Sequence, residues 1–412
     1  MIALLLAALA GASPQLTLDE AVSLARTAHP EVVAARAGAA AAGARADASG
    51  AALLPQLGVS AGWQGQVRDT PGATTRRTGT WSGQATADQL LWDFGRTTGT
   101  ARAARATARA EEAGAGETAL EVVRAARLAY FQARAGRVLV QVARDALSAQ
   151  AAQLAQVAAL AAVGSRPESD LARARSDVAQ ARLALVQAEQ DEAVARAQLA
   201  QALGVERSDL EAGDDAMPPV AGEGEAASAL LDGAAAVRPS FRQVEAQLAA
   251  QEATLSAARG ARLPSLSVGA TAGSAGEALD GLDRSFTGGV VLSWSLFDGG
   301  ANGARVREAE AQRVALVARR DAARQALHAE LAQALAAVAG GRASVVAARE
   351  ALTAAEEDLR LAATRYQVGV GTLLEVSTAR ASASKAAGQV VTAQRDLDGS
   401  RADLALALGR GG

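Results

Sequence analysis

The sequence predicts a mainly α-helical chain with a membrane β-barrel portion, in which long helical hairpins carry two β-hairpins. Three observations predict it. The chain is written twice, its helical stretches keep a period of seven without proline, and each copy holds two runs that alternate apolar and polar residues.

The repeat is found from a shared punctuation, LLWDFGR at 90–96 and LSWSLFDGG at 292–300. Aligning Leu91, Trp92 and Asp93 with Leu296, Phe297 and Asp298 sets a shift that also places Gly136 on Gly341, Gly164 on Gly369 and Leu203-Gly204 on Leu408-Gly409. Upstream, His29-Pro30 meets Arg238-Pro239 and LLPQLGV meets RLPSLSV, with a slightly larger shift. An insertion therefore lies in the first copy between Pro55 and Asp93, where a loop is expected. The organisation that follows is a leader over 1–12, a first repeat over 13–204, an acidic connection over 205–232 and a second repeat over 233–412.

Composition narrows the class. The 412 residues are 50% hydrophobic and 3% aromatic, with a formal net charge of −3, which favours neither disorder nor nucleic-acid binding. Cysteine is absent and there are only 2 histidines, so neither a disulfide framework, a thiolate metal site nor a histidine metal cluster is expected. The DFG of WDFG lacks the other elements of a kinase, and no catalytic or cofactor-binding residue is assigned.

The elements can be justified in order. MIALLLAALAGAS is too short to span a bilayer and ends on small residues, so it reads as a signal peptide cut near Ser13. No later segment reads as a membrane helix. The first β-hairpin, about 57–92, sets Leu57, Val59, Ala61 and Trp63 against Gly58, Ser60, Gly62 and Gln64. Its return run sets Trp81, Ala85, Ala87 and Leu91 against Ser82, Gln84, Thr86 and Asp88. The second, about 266–297, alternates in the same way and ends with Phe286, Val290, Leu292, Trp294 and Leu296 on one face. Each run has about the 9–11 residues of a tilted transmembrane strand. A soluble sheet with one wet face would alternate equally.

After each hairpin comes a stretch of strong helix formers. Arg96 to Val163 would extend roughly 100 Å as one helix. Heptads run through Val140, Leu147 and Leu154, and through Val345, Leu352, Leu359 and Tyr366. They resume after each Val-Gly turn, as Leu171, Val178, Leu185 and Leu199, and as Val376, Ala383, Val390, Leu397 and Leu404. Gly114 and Gly116 are expected to interrupt the first long helix. The connection rich in Asp and Glu is expected to be solvated. If the strands lie in a bilayer, Trp63, Trp81, Phe286, Val290, Leu292 and Trp294 face lipid, and the four strands of one chain are too few to close a barrel. Several copies must then share one. The competing class is a soluble or peripheral periplasmic coiled-coil scaffold without channel activity.

With these residues in view, the chain resembles the TolC-type outer-membrane efflux proteins. The resemblance is carried by LTLDEAVSLARTAHPEVVAARA at 16–37, LLPQLGVSAG at 53–62, LLWDFGR, AVGSRPESDLARA at 162–174, RPSFRQVEAQLAAQEATLSAARGARLPSLSV at 238–268, LFDGG and RYQVGVGTLLEVSTARA at 365–381. It implies a homotrimer in which long α-helical hairpins form a periplasmic tunnel and four β-strands per chain join a shared 12-stranded barrel. It further implies an exit duct of a tripartite efflux or type I secretion system, not an enzyme. The duct would stand in outer-membrane lipid with most of the chain in the periplasm, and would release solutes delivered by an inner-membrane transporter through a periplasmic adaptor. Val163, Gly164, Asp170, Tyr366, Val368, Gly369 and Thr372 would form the periplasmic tip and adaptor-docking surface, and Asp170 and Glu375 the pore constriction. Gly371 stands where relatives often carry an arginine, and Pro167 lies in the first tip.

Overall fold

A computed structural model describes residues 15–68, 76–165, 167–207, 209–278 and 281–411. The expected leader and its cleavage point lie outside the described residues. In chain order the elements are β1 (Gln15–Leu16), α1 (Leu18–Ala28), α2 (Pro30–Ala51), β2 (Gln56–Arg68), β3 (Arg76–Trp92), α3 (Arg96–Ala162) and α4 (Glu168–Leu203). There follow β4 (Glu211–Ala212), α5 (Ala227–Val237), α6 (Pro239–Gly260), β5 (Ser265–Gly276), β6 (Asp283–Ser293), α7 (Ala301–Gln367) and α8 (Leu373–Ala407).

The duplication is structural as well as sequential. Helices α3 and α7 are each 67 residues long, α1 and α5 each 11, and α2 and α6 each 22. Because α5 is the counterpart of α1, the second repeat begins at Ala227, inside the stretch expected to be connection. Helix starts follow local chemistry. Thr17 caps α1 in a reciprocal box with Glu20, and Pro30 and Pro239 open α2 and α6, a position where no backbone donor is needed.

The compact units do not coincide with the repeats. Among the described residues, those up to 35, from 115 to 239 and from 324 onward form one unit, and those from 36 to 114 and from 240 to 323 the other, so each unit takes part of both copies. Gly114 and Gly116 stand at this division, yet α3 passes through them unbroken. Their missing side chains leave room for neighbours: a Cβ on Gly114 would lie 2.9 Å from Gln243 Nε2, and one on Gly116 would lie 3.3 Å from Pro239 Cβ.

In the first unit the heptad residues face inward as the period requires. Val140, Leu199, Val345, Val376, Leu397 and Leu404 are buried. Two glycines set the helix spacing. A Cβ on Gly136 would lie 3.3 Å from Glu192 Cα, and one on Gly341 would lie 3.3 Å from Leu397 Cα. The same close approach thus occurs in α3/α4 and in α7/α8, at equivalent positions. α7 is the one described helix that is long and apolar enough by composition to cross a membrane, which the sequence reading did not expect. Alanine gives it that composition, and its Leu331, Val338 and Val345 are buried in this unit.

The acidic connection is not a free solvated strand. Asp214 pairs with Arg137, Glu223 with both Arg342 and Arg401, and Asp232 with Arg324. Asp215 accepts from the Leu18 backbone N–H at 2.9 Å and from the Tyr130 hydroxyl at 3.2 Å. In return, fully buried Asp398 of α8 accepts from Arg134 at 3.1 Å and from the Met217 backbone N–H at 3.3 Å. The partner arginines are far away in sequence, so composition alone could not distinguish a strap from a linker.

Candidate functional site

The second unit carries a four-stranded antiparallel sheet in the order β2-β3-β5-β6. Register places the apolar residues on one continuous face. Leu57, Val59 and Trp63 of β2 lie opposite Ala87, Ala85 and Trp81 of β3. Ala87 and Ala85 lie opposite Ala270 and Ala272 of β5. Leu266, Val268 and Ala272 lie opposite Leu292, Val290 and Phe286 of β6. Five of the six residues expected to face lipid therefore share this face. It is bare in the single chain, with Val59 87% and Phe286 78% exposed, an arrangement that water alone would not favour. Trp63 and Trp81 form a tilted pair with ring centroids 6.5 Å apart.

The opposite face is mostly small and polar, with Leu90 and Val291 its apolar exceptions, facing each other across Ser267. Gly58, Thr86, Thr271 and Thr287 form one row across it, and Ser60, Gln84, Gly273 and Ser285 another. Both outer strands of the sheet, β2 and β6, have a free edge among the described residues, and they run in opposite directions.

Two details differ from the alternation read in sequence. β6 ends at Ser293, so Trp294, Ser295 and Leu296 lie beyond the strand; Trp294 is 56% exposed and its Nε1 donates to the Arg262 carbonyl at 3.1 Å. A bulge at Leu91 also breaks the register, so that Trp92, not Leu91, pairs with Leu266 on the apolar face.

The strand-to-helix junctions explain the repeated Asp-Gly punctuation. Asp93 Oδ2 accepts from the Thr97 backbone N–H at 2.7 Å. Asp298 accepts from Gly300 at 3.0 Å and from Asn302 at 2.8 Å. Each carboxylate occupies the donor-rich start of a long helix. The Asn302 N–H, with those of Gly300 and Ala301, holds the Asp298 carboxyl below the usual carboxylate range. Gly299 has φ 66°, and its counterpart Phe94 adopts φ 53°.

In the first unit the two Val-Gly turns are brought together. Gly164 (φ 76°) and Gly369 (φ 83°) take the left-handed conformation that ends a helix, with Ser165 N–H donating to Leu160 and Val370 N–H donating to Arg365. A shared apolar cluster of Val157, Ala174, Tyr366, Leu373 and Val376 lies behind them. Val163 and Val368 are strongly exposed, and Gly164, Gly369 and Thr372 are exposed too. Tyr366, expected on the docking surface, is buried in the cluster at 3% exposure.

Asp170 and Glu375 are half-exposed in the first turns of α4 and α8. Glu375 has an intrachain cation, with Arg365 Nη1 3.5 Å from its Oε2. Thr372 caps α8 by accepting from the Glu375 N–H at 3.2 Å, and Pro167 is the N-cap residue of α4. Gly371 has a steric reason: a Cβ there would lie 2.9 Å from Tyr366 N and 3.0 Å from Arg365 Cβ. Sequence reading missed Asp177, whose Oδ2 accepts from Ser377 at 2.7 Å, and Arg380, which donates to the Ala149 carbonyl at 2.8 Å. Both tie the hairpins together, and their only sequence signal was a polar residue within a heptad helix.

The outer membrane efflux protein family matches residues 21–205 and 230–410, nearly the whole of both repeats. The chain belongs to this family. It is 34% identical to outer membrane protein OprJ of Pseudomonas aeruginosa over 137 residues, which are 32% of this chain and 29% of that protein. It is 33% identical to the solvent efflux pump outer membrane protein SrpC of Pseudomonas putida over 178 residues, 42% of this chain and 38% of that protein. The chain thus matches less than two-fifths of the length of either relative. In structure it superposes on the Campylobacter jejuni outer membrane channel CmeC with a TM-score of 0.85 at 19% identity, covering 96% of this chain and 86% of that one. The fold is that of outer-membrane channels with a helical tunnel and a β-barrel portion. As an outer membrane efflux protein, the chain is located in the outer membrane, with its helical part in the periplasm.

Proposed function

We propose that the chain is the outer-membrane duct of an efflux assembly and that three copies build it. The observation that carries this reading is the sheet, with an apolar face, a polar face and two free edges of opposite sense. Strand β6 of one copy can pair antiparallel with β2 of the next, and a ring so formed leaves no unpaired edge in lipid. Three copies give twelve strands, within the range of known membrane barrels. The duct is passive, receiving solutes from an inner-membrane transporter through a periplasmic adaptor. A scaffold without a channel would have no use for the bare apolar face.

In this reading Val163, Gly164, Val368, Gly369 and Thr372 present the adaptor-docking surface. Asp170 and Glu375 line the narrow end of the pore, and Tyr366 supports the tip from behind. The test is planar-bilayer conductance of the purified full chain, with cation selectivity measured for wild type and Glu375→Gln. Channels with lower cation preference in the variant are expected. Absence of conductance from a membrane-inserted oligomer would overturn the duct, and unchanged selectivity would remove Glu375 from the pore. Gly164→Trp and Gly369→Trp should abolish export in cells while leaving the oligomer intact. Normal export by both would show that these turns are helix caps only.

A further inference from the structure

One cluster of cations in the second unit has no function in what precedes. Gly303 lies in the first turn of α7, and a Cβ built there would be 3.5 Å from Arg262 Nη2 and 3.7 Å from Arg307 Nη1. Two guanidinium groups thus converge on one small patch. Among the described residues neither has a hydrogen bond or ion pair from its side chain, although neighbouring arginines do. Arg259 pairs with Glu310, Arg313 with Glu252, and Arg305 donates to Asn302. Glu308, next to Arg307 in sequence, accepts from Gln312 and forms no ion pair with either arginine, and Asp298 spends both oxygens on backbone N–H groups. Like charges held this close without a counter-charge repel one another and call for an anion.

The patch also has a level. Arg262 lies three residues before the start of β5, and its own carbonyl accepts from the Trp294 indole just past the end of β6. Leu296 and Phe297 follow, 79% and 89% exposed. Tryptophan and phenylalanine at the end of a bilayer-facing strand mark the headgroup region, where an arginine can reach a phosphate. We propose that Arg262 and Arg307 form a binding site for the phosphate of an anionic phospholipid headgroup at the foot of the barrel. This rests on the reading of the sheet as membrane-embedded. The site belongs to the second repeat alone. Arg102 stands where Arg307 does, but Leu53 takes the place of Arg262, so the first repeat lacks the converging pair.

The test uses the full chain purified in detergent and exposed to mixed micelles of phosphatidylglycerol and phosphatidylcholine, with bound lipid counted by native mass spectrometry. Wild type should favour phosphatidylglycerol on the order of tenfold, given the contribution of each arginine at an anionic surface. Arg262→Ala with Arg307→Ala should reduce this to parity. The double lysine variant should keep most of the preference, which distinguishes lost charge from lost structure, and Arg102→Ala should behave as wild type. An unchanged preference in the double alanine variant would overturn the site while leaving the channel reading intact. Loss of the preference on adding millimolar inorganic phosphate would also overturn it, because the site would then take a free anion rather than a lipid. Failure of wild type to enter bilayers at all would instead count against the membrane reading.

Discussion

At the scale of single residues, two aspartates and one phenylalanine give opposite expectations. Asp398 is enclosed, and burial raises its carboxyl above the usual range despite Arg134 and the Met217 N–H. The folded chain then binds this proton more tightly than the unfolded one, so the stability it contributes is greatest at acid pH and falls as pH rises through the raised value. Asp398→Asn should therefore gain on wild type in thermal melts as pH is raised above the usual carboxylate range. If wild type gains instead, the arginine and N–H donors outweigh burial. Asp298 has the reverse sign: backbone donors lower its carboxyl, so its contribution is present at neutral pH and is lost on acidification below the usual range. Phe94 holds φ 53° where the second copy has glycine, and it is retained by an edge contact with Trp92 at 5.9 Å between ring centroids. Phe94→Ala keeps the backbone strain and loses the ring. Phe94→Gly loses the ring but relieves the strain, so it should be more stable than the alanine variant by about 1 kcal/mol in thermal melts. Equal midpoints would mean the surroundings, not the residue, fix that φ.

At the scale of elements, periodicity made the helices, the turns and the duplication legible, because a period of seven and a left-handed glycine are local signals. Three features were not local. The β6 end at Ser293 comes from a junction that no alternation marks, the Leu91 bulge shifts register without changing composition, and the acidic strap depends on arginines in α3, α7 and α8. Tip residues were recognised by their turns, whereas the burial of Tyr366 and the Arg365–Glu375 pair depend on how the hairpins pack. The adjacent glycines 340 and 341 turn packing into a measurable contrast. Nothing lies within 4 Å of a Cβ on Gly340, while one on Gly341 meets the Leu397 backbone at 3.3 Å. Gly340→Ala should stabilise by about 0.5–1 kcal/mol through helix propensity alone. Gly341→Leu should cost about 1–3 kcal/mol by forcing α7 from α8. Equal effects at the two positions would show that the close approach is not required.

At the scale of the whole molecule, the repeat and the compact units answer different demands. Duplication supplies two hairpins of strands and two of helices. Packing then groups strands with the adjoining helix ends and tips with the strap, so each unit needs both copies. One sheet of four strands satisfies its inner ladders but leaves, among the described residues, two edges and one apolar face, which is what the proposed barrel of several copies in lipid would cover. This gives a test by position along β6. Val290 and Leu292 lie on the face with Phe286, whereas Gly289 and Val291 lie on the face with Thr287. Cysteines at 289 and 291 should react with a water-soluble thiol reagent in the assembled protein, and those at 290 and 292 should not. Val291 makes the test discriminating, because it is apolar and yet assigned to the wet side by register alone. Leu292→Arg should destabilise by on the order of 2–4 kcal/mol if that position lies near the bilayer midplane, and by no more than about 1 kcal/mol near an interface. The position of Leu292 one residue before the strand end, close to Trp294 and the Arg262 carbonyl, favours the smaller cost. Replacing Val290 by Arg, two residues deeper, should cost more than Leu292→Arg. The opposite order would place the foot of the barrel deeper in the membrane than its arginines allow.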